Sequence, residues 1–176
     1  MSNEPTDNVP PYYLCELITE LEIIDAPEVA TIVVKAPDYP IADLPALFDS
    51  TFHALYPALD QRGIQPIGPP FSAYYRVPGD TADLEVGSPV ALAPSEEITA
   101  DNGVVLMAST LPSGRVARIS YVGGFDGLGE AWGSFMKAVE DSGNAPQFPF
   151  WEVYVSEPGP TVDPATLRTD LYLLLA

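Results

Sequence analysis

The feature that most constrains the fold of this chain is an internal repeat. Two β-rich runs resemble each other, and each is followed by a loop and then by a helical pattern of apolar residues. The corresponding segments are, in pairs, 28–34 with 115–121, 70–76 with 149–155, and 83–86 with 170–173. Each copy therefore reads strand, helix, strand, strand. The repeat predicts a pseudo-two-fold structure in which 29–85 superposes on 116–172.

The helical patterns have recognisable ends. Asp43 and Asp126 are the expected N-caps, and Gly63 and Gly143 are the expected stops, since glycine adopts the left-handed conformation that ends many helices. Pro57 falls inside the first pattern and is expected to kink or shorten that helix, because proline removes a backbone donor.

An additional strand is predicted between the two copies. Residues 104–111 and 115–121 are both β-rich, and the Pro-Ser-Gly sequence at 112–114 favours a turn. The expected element is a hairpin that joins the copies.

The pattern as a whole predicts an α+β fold. Two amphipathic helices need a sheet to pack against, so we expect an antiparallel sheet with both helices on one face and a ligand groove on the other. We expect residues 1–20 to be a flexible extension and 21–176 to be one domain, with repeats at about 21–92 and 104–176.

The charge limits the classes of partner. Twenty-five acidic residues against seven basic ones give a net charge of -18, which would repel nucleic acid and anionic membrane surfaces. The excess of acid could attract cationic ligands into a cleft, or it could serve only solubility over the whole surface.

Cysteine and histidine are scarce. Cys15 is the single cysteine, so an internal disulfide and a thiolate metal cluster are excluded. His53 is the single histidine, so we expect no His-based metal site or triad and no cofactor. No secretory signal and no apolar run of ~20 residues is present, and the expected setting is the cytoplasm.

Several motifs in this order resemble the GyrI-like small-molecule-binding domains. The residues that carry the resemblance are 68–71, 74–75 and 83–90 in the first half, and 111–117, 123–128, 131–132 and 151–154 in the second. The match runs from about Leu21 to the C-terminus, and the duplicated β-α-β-β fold of that family agrees with the repeat.

The resemblance implies several alternative tasks. Members of the family serve as effector-binding halves of multidrug-responsive regulators, as gyrase inhibitors, as drug sequesterers, or as hydrolases of cyclopropane-containing alkylating compounds. Only about twenty residues precede the first expected strand, too few for a helix-turn-helix module, so a DNA-binding regulator is not expected.

Glu152 is the leading candidate for a functional residue. Strand alternation places it on one face with three aromatic residues: Phe148, Phe150 and Tyr154. An acid among aromatic rings should face a wet cavity or meet a partner, and the resemblance implies that it neutralises cationic ligands or serves hydrolysis. The alternatives are a structural ion pair with Arg118 or Arg76, or exposure at a sheet edge. The aligned repeats make Ala73 its counterpart.

Aromatic residues are expected to enclose the ligand. The candidates are Tyr74, Tyr75, Trp132, Phe150 and Tyr154. Tyr75 and Tyr154 are aligned by the repeats and are the better candidates for walls, whereas Trp132 also fits a core position on its helix.

Two functions of different classes follow. The first is a stand-alone binder of bulky, amphipathic, cationic or aromatic compounds, acting in sensing, sequestration or resistance. The second is a hydrolase of strained-ring electrophiles, in which Glu152 is the general base and the hydroxyl of Tyr154 donates to the leaving group. A third alternative is a protein partner such as gyrase, bound through the acidic surface.

Overall fold

The computed structural model describes residues 11–156 and 160–176 and contains two helices against one antiparallel sheet. The helices are α1 (Leu44–Arg62) and α2 (Leu128–Asp141). The strands are β1 (Glu22–Ala26), β2 (Val29–Pro40), β3 (Phe71–Tyr74), β4 (Thr81–Pro89), β5 (Ile98–Thr99), β6 (Val105–Leu111), β7 (Gly114–Val122), β8 (Pro146–Tyr154) and β9 (Arg168–Leu175). The predicted α+β class is confirmed. No helix in the described residues is long and apolar enough to cross a membrane.

The order of the strands displays the duplication. The sheet runs β1-β7-β9-β8-β3-β4-β2-β6-β5, so β7-β9-β8 on one side of the centre mirrors β2-β4-β3 on the other. Each half contributes its own helix, between β2 and β3 in the first copy and between β7 and β8 in the second. The two copies meet where β3 pairs with β8, with Ser72 opposite Glu152.

The predicted hairpin between the copies is wrong. β6 pairs with β2 and β5, whereas β7 pairs with β1 and β9. Val29 lies opposite Leu111 and Ala26 opposite Gly114, so β1 with β2 and β6 with β7 form one long antiparallel ribbon with an unbroken register. Each strand is interrupted for two residues, and these include Pro27 and Pro112. Proline cannot donate to the ladder, so the Pro-Ser-Gly sequence marks a bend in a continuing strand.

Both helices lie on the same face of the sheet, as predicted. Leu47 of α1 and Phe135 of α2 belong to one core cluster, together with Leu84 and Phe150 from the strands beneath. The rows of paired residues across the sheet place Phe150, Tyr74, Leu84 and Ala36 side by side on this face. We call it the helix face.

The opposite face is closed, which corrects the expectation of an open groove there. Its central side chains, Phe71, Trp151 and Tyr172, are almost fully buried and belong to a second core cluster. The ribbon that links β1 with β2 and β6 with β7 ties the two sides of the sheet together, because Leu111 and Val116 are in this same cluster. The centre of this side is therefore an interior, and we call the side the inner face.

Residues 11–20 complete the inner face. The ring of Tyr13 is buried, and Arg118 donates to the carbonyl of Tyr12 (2.6 Å) while Arg168 donates to that of Cys15 (3.1 Å). This part of the extension expected at 1–20 is therefore packed against the sheet. Residues 1–10 lie outside the described residues.

The helix ends agree only in part with the sequence patterns. Gly63 has the left-handed conformation (φ 66°) and caps α1, as predicted. Neither Asp43 nor Asp126 makes a side-chain cap, because each lies in a short 3-10 turn that leads into its helix. α1 continues past Pro57, which is exposed like His53, so water can replace the missing donor.

Candidate functional site

Glu152 lies in the middle of β8 and points to the helix face. Its strand neighbours across the sheet are Ser72 and Leu171, and Leu171 belongs to the core beneath the helices. The residue is buried, with 8% of its surface exposed. The candidate site is therefore between the sheet and the helices, not on the side where the groove was expected.

Three side chains form a hydrogen-bonded network with the carboxylate. The indole Nε1 of Trp132 donates to Oε1 (2.8 Å), and the hydroxyl of Tyr154 donates to Oε2 (2.7 Å). Ser72 Oγ lies 2.7 Å from the hydroxyl of Tyr154. Because the hydrogen of Tyr154 is used toward Glu152, Ser72 donates to Tyr154. The hydrogen bonds therefore run from Ser72 to Tyr154 and from Tyr154 to the carboxylate of Glu152.

The alternative of an ion pair between Glu152 and an arginine is not observed. Arg118 pairs with Glu22 (3.1 Å), and Arg76 pairs with Asp83 (3.0 Å). In the described parts of the chain, Glu152 has no cation within 4 Å, so the charge of the carboxylate is compensated only by neutral donors.

Burial is the main cause of the shifted pKa values of Glu152 and Tyr154. Burial raises the pKa of Glu152 above its ordinary value of 4.5, and the hydrogen bonds from Tyr154 and Trp132 offset part of that rise. The pKa of Tyr154 is raised well above 10.0 by burial, with a further contribution from the charge of Glu152. Tyr154 therefore remains a neutral donor at physiological pH.

Aromatic rings enclose the network. Phe48 and Phe52 of α1 are stacked on each other, and both meet Tyr154 edge-on at 6.2 and 6.4 Å between ring centroids. Phe125 meets Tyr154 from the other side at 6.0 Å. Trp132 lies 4.8 Å from Phe150. The enclosure is therefore built from both helices, from the turn before α2 and from β8.

The structure brings most of the predicted site residues together. Glu152 bonds to Tyr154 and Trp132, Trp132 packs on Phe150, and Phe150 stacks on Tyr74 at 5.2 Å. The ring of Trp132 packs against the core, as one of the two alternatives expected, and its N–H donates to Glu152.

Tyr75 is not part of this site, and its alignment with Tyr154 is wrong. Phe71 and Ala73 belong to the inner-face core, and Tyr75 continues their alternation, with its N–H bonded to Asp83. Ala73 is likewise not the counterpart of Glu152, because the two residues face opposite sides of the sheet. A shift of one residue in the repeat alignment exchanges the faces of a whole strand, and this is the source of both errors.

The sequence analysis missed four residues at the site: Phe48, Phe52, Phe125 and Ser72. The two from α1 are four residues apart in the helical pattern, which is typical of core residues as well as of a ligand enclosure. Ser72 carries no signal by itself. Only the pairing of β3 with β8 places its hydroxyl beside Tyr154.

A buried hydroxyl without a partner lies next to the network. Thr169 is 1% exposed and directly opposite Tyr154 on β9, and its Oγ1 has no hydrogen-bond partner among the described residues. Buried polar groups are nearly always satisfied, so this hydroxyl is available to a ligand or a water molecule.

Two aromatic rings at the enclosure are partly exposed. Phe125, which contacts Tyr154, is 44% exposed, and Phe148, which contacts Phe150, is 45% exposed, whereas Glu152 is buried. Two surface depressions, of about 190 and 390 Å³, lie elsewhere, beside His53 on α1 and beside Leu14 in the N-terminal segment. The described residues contain no group of three potential metal ligands.

The raised pKa of Glu152 predicts that the protein is less stable with the charged acid than with a neutral amide. A group whose pKa is raised by folding stabilises the fold below its ordinary pKa, and this contribution is lost as the pH rises through the raised pKa. Glu152→Gln should therefore resemble the wild type at pH 5 and become progressively more stable than it toward pH 8, as measured by urea unfolding. A variant that is less stable at pH 8 would show that the carboxylate contributes to stability.

Comparisons with known proteins place the chain in a family and identify its fold. A model of the GyrI-like small molecule binding domain matches residues 19–176. No curated protein matches the chain. Among solved structures, the EcmrR C-terminal domain is 15% identical with a TM-score of 0.72, and the match covers 89% of this chain and 97% of that domain. The longer EcmrR chain of a cryo-EM complex with DNA is 16% identical, also with a TM-score of 0.72, and is covered over 57% of its length.

Two further structures have the same fold at low identity. SAV2435 bound to tetraphenylphosphonium is 10% identical with a TM-score of 0.62, and the match covers 90% of this chain and 94% of that protein. A hydrolase from Listeria innocua is 14% identical with a TM-score of 0.58, and the match covers 92% of this chain and 94% of the hydrolase.

Proposed function

Because this chain belongs to the GyrI-like small-molecule-binding domain family, we propose that its ligands are bulky aromatic cations and that they bind at Glu152. The observation that carries the proposal is a buried carboxylate with no cationic partner in the described residues, enclosed by aromatic rings. A cationic ligand would supply the missing charge.

The rings around Glu152 suit such a ligand. Aromatic faces attract cations by about 0.5–2 kcal/mol each, more where water is excluded. Phe48, Phe52 and Phe125 offer apolar area without competing hydrogen-bond acceptors, so the acid is the one group in the enclosure that selects for charge. This combination favours delocalised or quaternary cations over small hydrophilic amines, which lose more hydration on entering an apolar site.

Tetraphenylphosphonium is the first ligand to test, since SAV2435, which has the same fold, is bound to it. Tetraphenylborate is the matched control, because it has nearly the same shape and the opposite charge. We expect the phosphonium to bind with micromolar affinity and the borate to bind at least a hundredfold more weakly, measured by isothermal titration calorimetry at 150 mM salt.

The proposal predicts discrimination by charge, not by shape. Equal affinity for the two ions would show that the enclosure binds through its apolar area alone. An absence of binding by either ion would reject bulky aromatic cations as the ligand class.

A hydrolase of strained-ring electrophiles is the second candidate. The contact that favours it is the 2.7 Å hydrogen bond between Tyr154 and Glu152, since a carboxylate of raised pKa beside a phenol is a general base next to a general acid. Glu152 would take a proton from water as the oxygen attacks a cyclopropane carbon. The ring C–C bond would break, its electron pair would pass to a conjugated carbonyl, and Tyr154 would protonate that oxygen.

A further inference from the structure

A second buried acid, Glu85, lies on the inner face of the sheet. It is in the middle of β4, and its neighbours across the strands are Ala73 and Lys35. Glu85 is 8% exposed, the same as Glu152, and it takes part in no ion pair within the described residues. Because an isolated buried carboxylate is costly, its surroundings should contain groups that stabilise the charge or admit a cation.

Neutral polar groups surround this acid. Ser109 on β6 donates a short hydrogen bond to its Oε1. Tyr75, which follows β3, interacts with the carboxylate, and burial together with Glu85 raises the pKa of its phenol above the ordinary 10.0. Tyr75 is 39% exposed, so it lies at the rim of the cluster.

An unsatisfied hydroxyl lies in the same cluster. Thr31 is directly opposite Ser109 in the pairing of β2 with β6, and it is fully buried. Its Oγ1 has no hydrogen-bond partner in the part of the chain that the structure describes. Directly opposite residues have their Cβ atoms about 5 Å apart, so this oxygen is adjacent to the Ser109–Glu85 contact. A buried oxygen without a partner indicates an absent donor.

We propose that Glu85, Ser109, Thr31 and Tyr75 form a second binding site, for the ammonium group of a small amine. An ammonium carries three donors and one positive charge, whereas the cluster offers a carboxylate and a free hydroxyl oxygen as acceptors. The phenol ring of Tyr75 at the rim would cover the carbon next to the nitrogen. The inferred ligand is thus compact and hydrophilic, unlike the bulky cation proposed for Glu152.

The site is distinct from the one at Glu152, because the two acids lie on opposite faces of the sheet. Lys35 is the nearest competitor, because it is exposed and lies opposite Glu85 on β2. Its ammonium would repel a bound amine or fill the site itself.

Propylammonium is the probe, with 1-propanol as the neutral control of the same size. In a titration of the full chain followed by amide NMR, we expect shifts at residues 31, 75, 85 and 109 with the amine and none there with the alcohol. Glu85→Gln should weaken amine binding at least tenfold. Glu97→Gln removes one exposed charge and should change it by less than twofold. Lys35→Met should strengthen it.

Two outcomes would overturn this inference. One is a set of amine-induced shifts centred on residues 132, 152 and 154, and the other is an unchanged affinity in Glu85→Gln. If Glu85→Gln does not fold, the inference is still tested by the map of shifts in the wild type and by the affinity of Ser109→Ala for propylammonium. Neither result bears on tetraphenylphosphonium binding at Glu152, which is measured with a different ligand on the other face.

Discussion

Glu152→Gln is expected to weaken the binding of tetraphenylphosphonium by ten- to a hundredfold. The amide keeps the shape of the side chain and removes the charge that would neutralise the cation. Two opposite charges about 5 Å apart attract each other by about 3 kcal/mol at an effective dielectric constant of about 20, and part of this is lost to desolvation. The expected change corresponds to about 1.4–2.8 kcal/mol and is measured by calorimetry.

The variant should remain folded, because the hydrogen-bond network can reverse. A glutamine oxygen can still accept from Trp132, and its amide can donate to Tyr154, which then donates to Ser72. Glu97→Gln is the matched control and should bind as the wild type does, since Glu97 is exposed in a loop. Unchanged affinity in a folded Glu152→Gln would reject Glu152 as the residue that selects cations.

The same variant separates binding from hydrolysis. If the chain opens strained rings, Glu152→Gln should leave the affinity for a neutral substrate nearly unchanged and abolish turnover, because only the proton transfer is lost. The product gains the mass of one water molecule, which mass spectrometry detects directly. A pure binder should return such a substrate unchanged in both wild type and variant.

Gly87→Ala should destabilise the fold by about 3 kcal/mol, a large part of the 5–15 kcal/mol that holds a typical domain. Gly87 lies in β4 between Val33 and Phe71. A Cβ atom there would be 1.9 Å from the carbonyl oxygen of Ile32 and 2.8 Å from the Cα of Val33. Both contacts are with backbone, so relief requires β2 and β4 to separate.

Gly133→Ala is the matched control for this change. Gly133 lies in α2, and an added Cβ meets nothing within 4 Å. Alanine is the better helix former by about 1 kcal/mol, so this variant should be more stable than the wild type. Urea unfolding should show a loss of stability for Gly87→Ala and a gain for Gly133→Ala. Equal stability of Gly87→Ala and wild type would mean that the close approach of β2 and β4 is not required by the fold.

Local pattern was sufficient to predict the two helices and seven of the nine strands, whereas β1 and β5 were not predicted. The apolar spacing predicted α1 and α2, and the repeat predicted two copies of strand, helix, strand, strand, because helical and strand periods are readable within a few turns. The motifs predicted the family, and Glu152 stood out as an acid among aromatic residues in a strand. These features depend on neighbours in sequence, and the chain contains that information directly.

Pairing between distant segments decided the rest. Whether 105–111 turns back on 114–122 or continues through Pro112 depends on which strands lie beside them, and the Pro-Ser-Gly sequence is compatible with both. A one-residue shift in the alignment of the two repeats moves Tyr75 to the other face of the sheet. The strand itself was predicted correctly, but Tyr75 was assigned to the wrong face. The surroundings of Glu152 also depended on strand pairing, because the pairing of β3 with β8 places Ser72 opposite it.

The sequence by itself determined the α+β class and the duplicated unit, and it indicated Glu152 as the acid of the candidate site. The tertiary structure alone decided that this acid lies beneath the helices, that Ser72 and the rings of α1 complete its enclosure, and that the inner face is closed. The physical reason is that side-chain periodicity fixes which residues share a face, whereas the pairing of distant strands fixes which face is filled. The ribbon that joins the two sides of the sheet is interrupted at Pro27 and Pro112, two positions 85 residues apart in the chain.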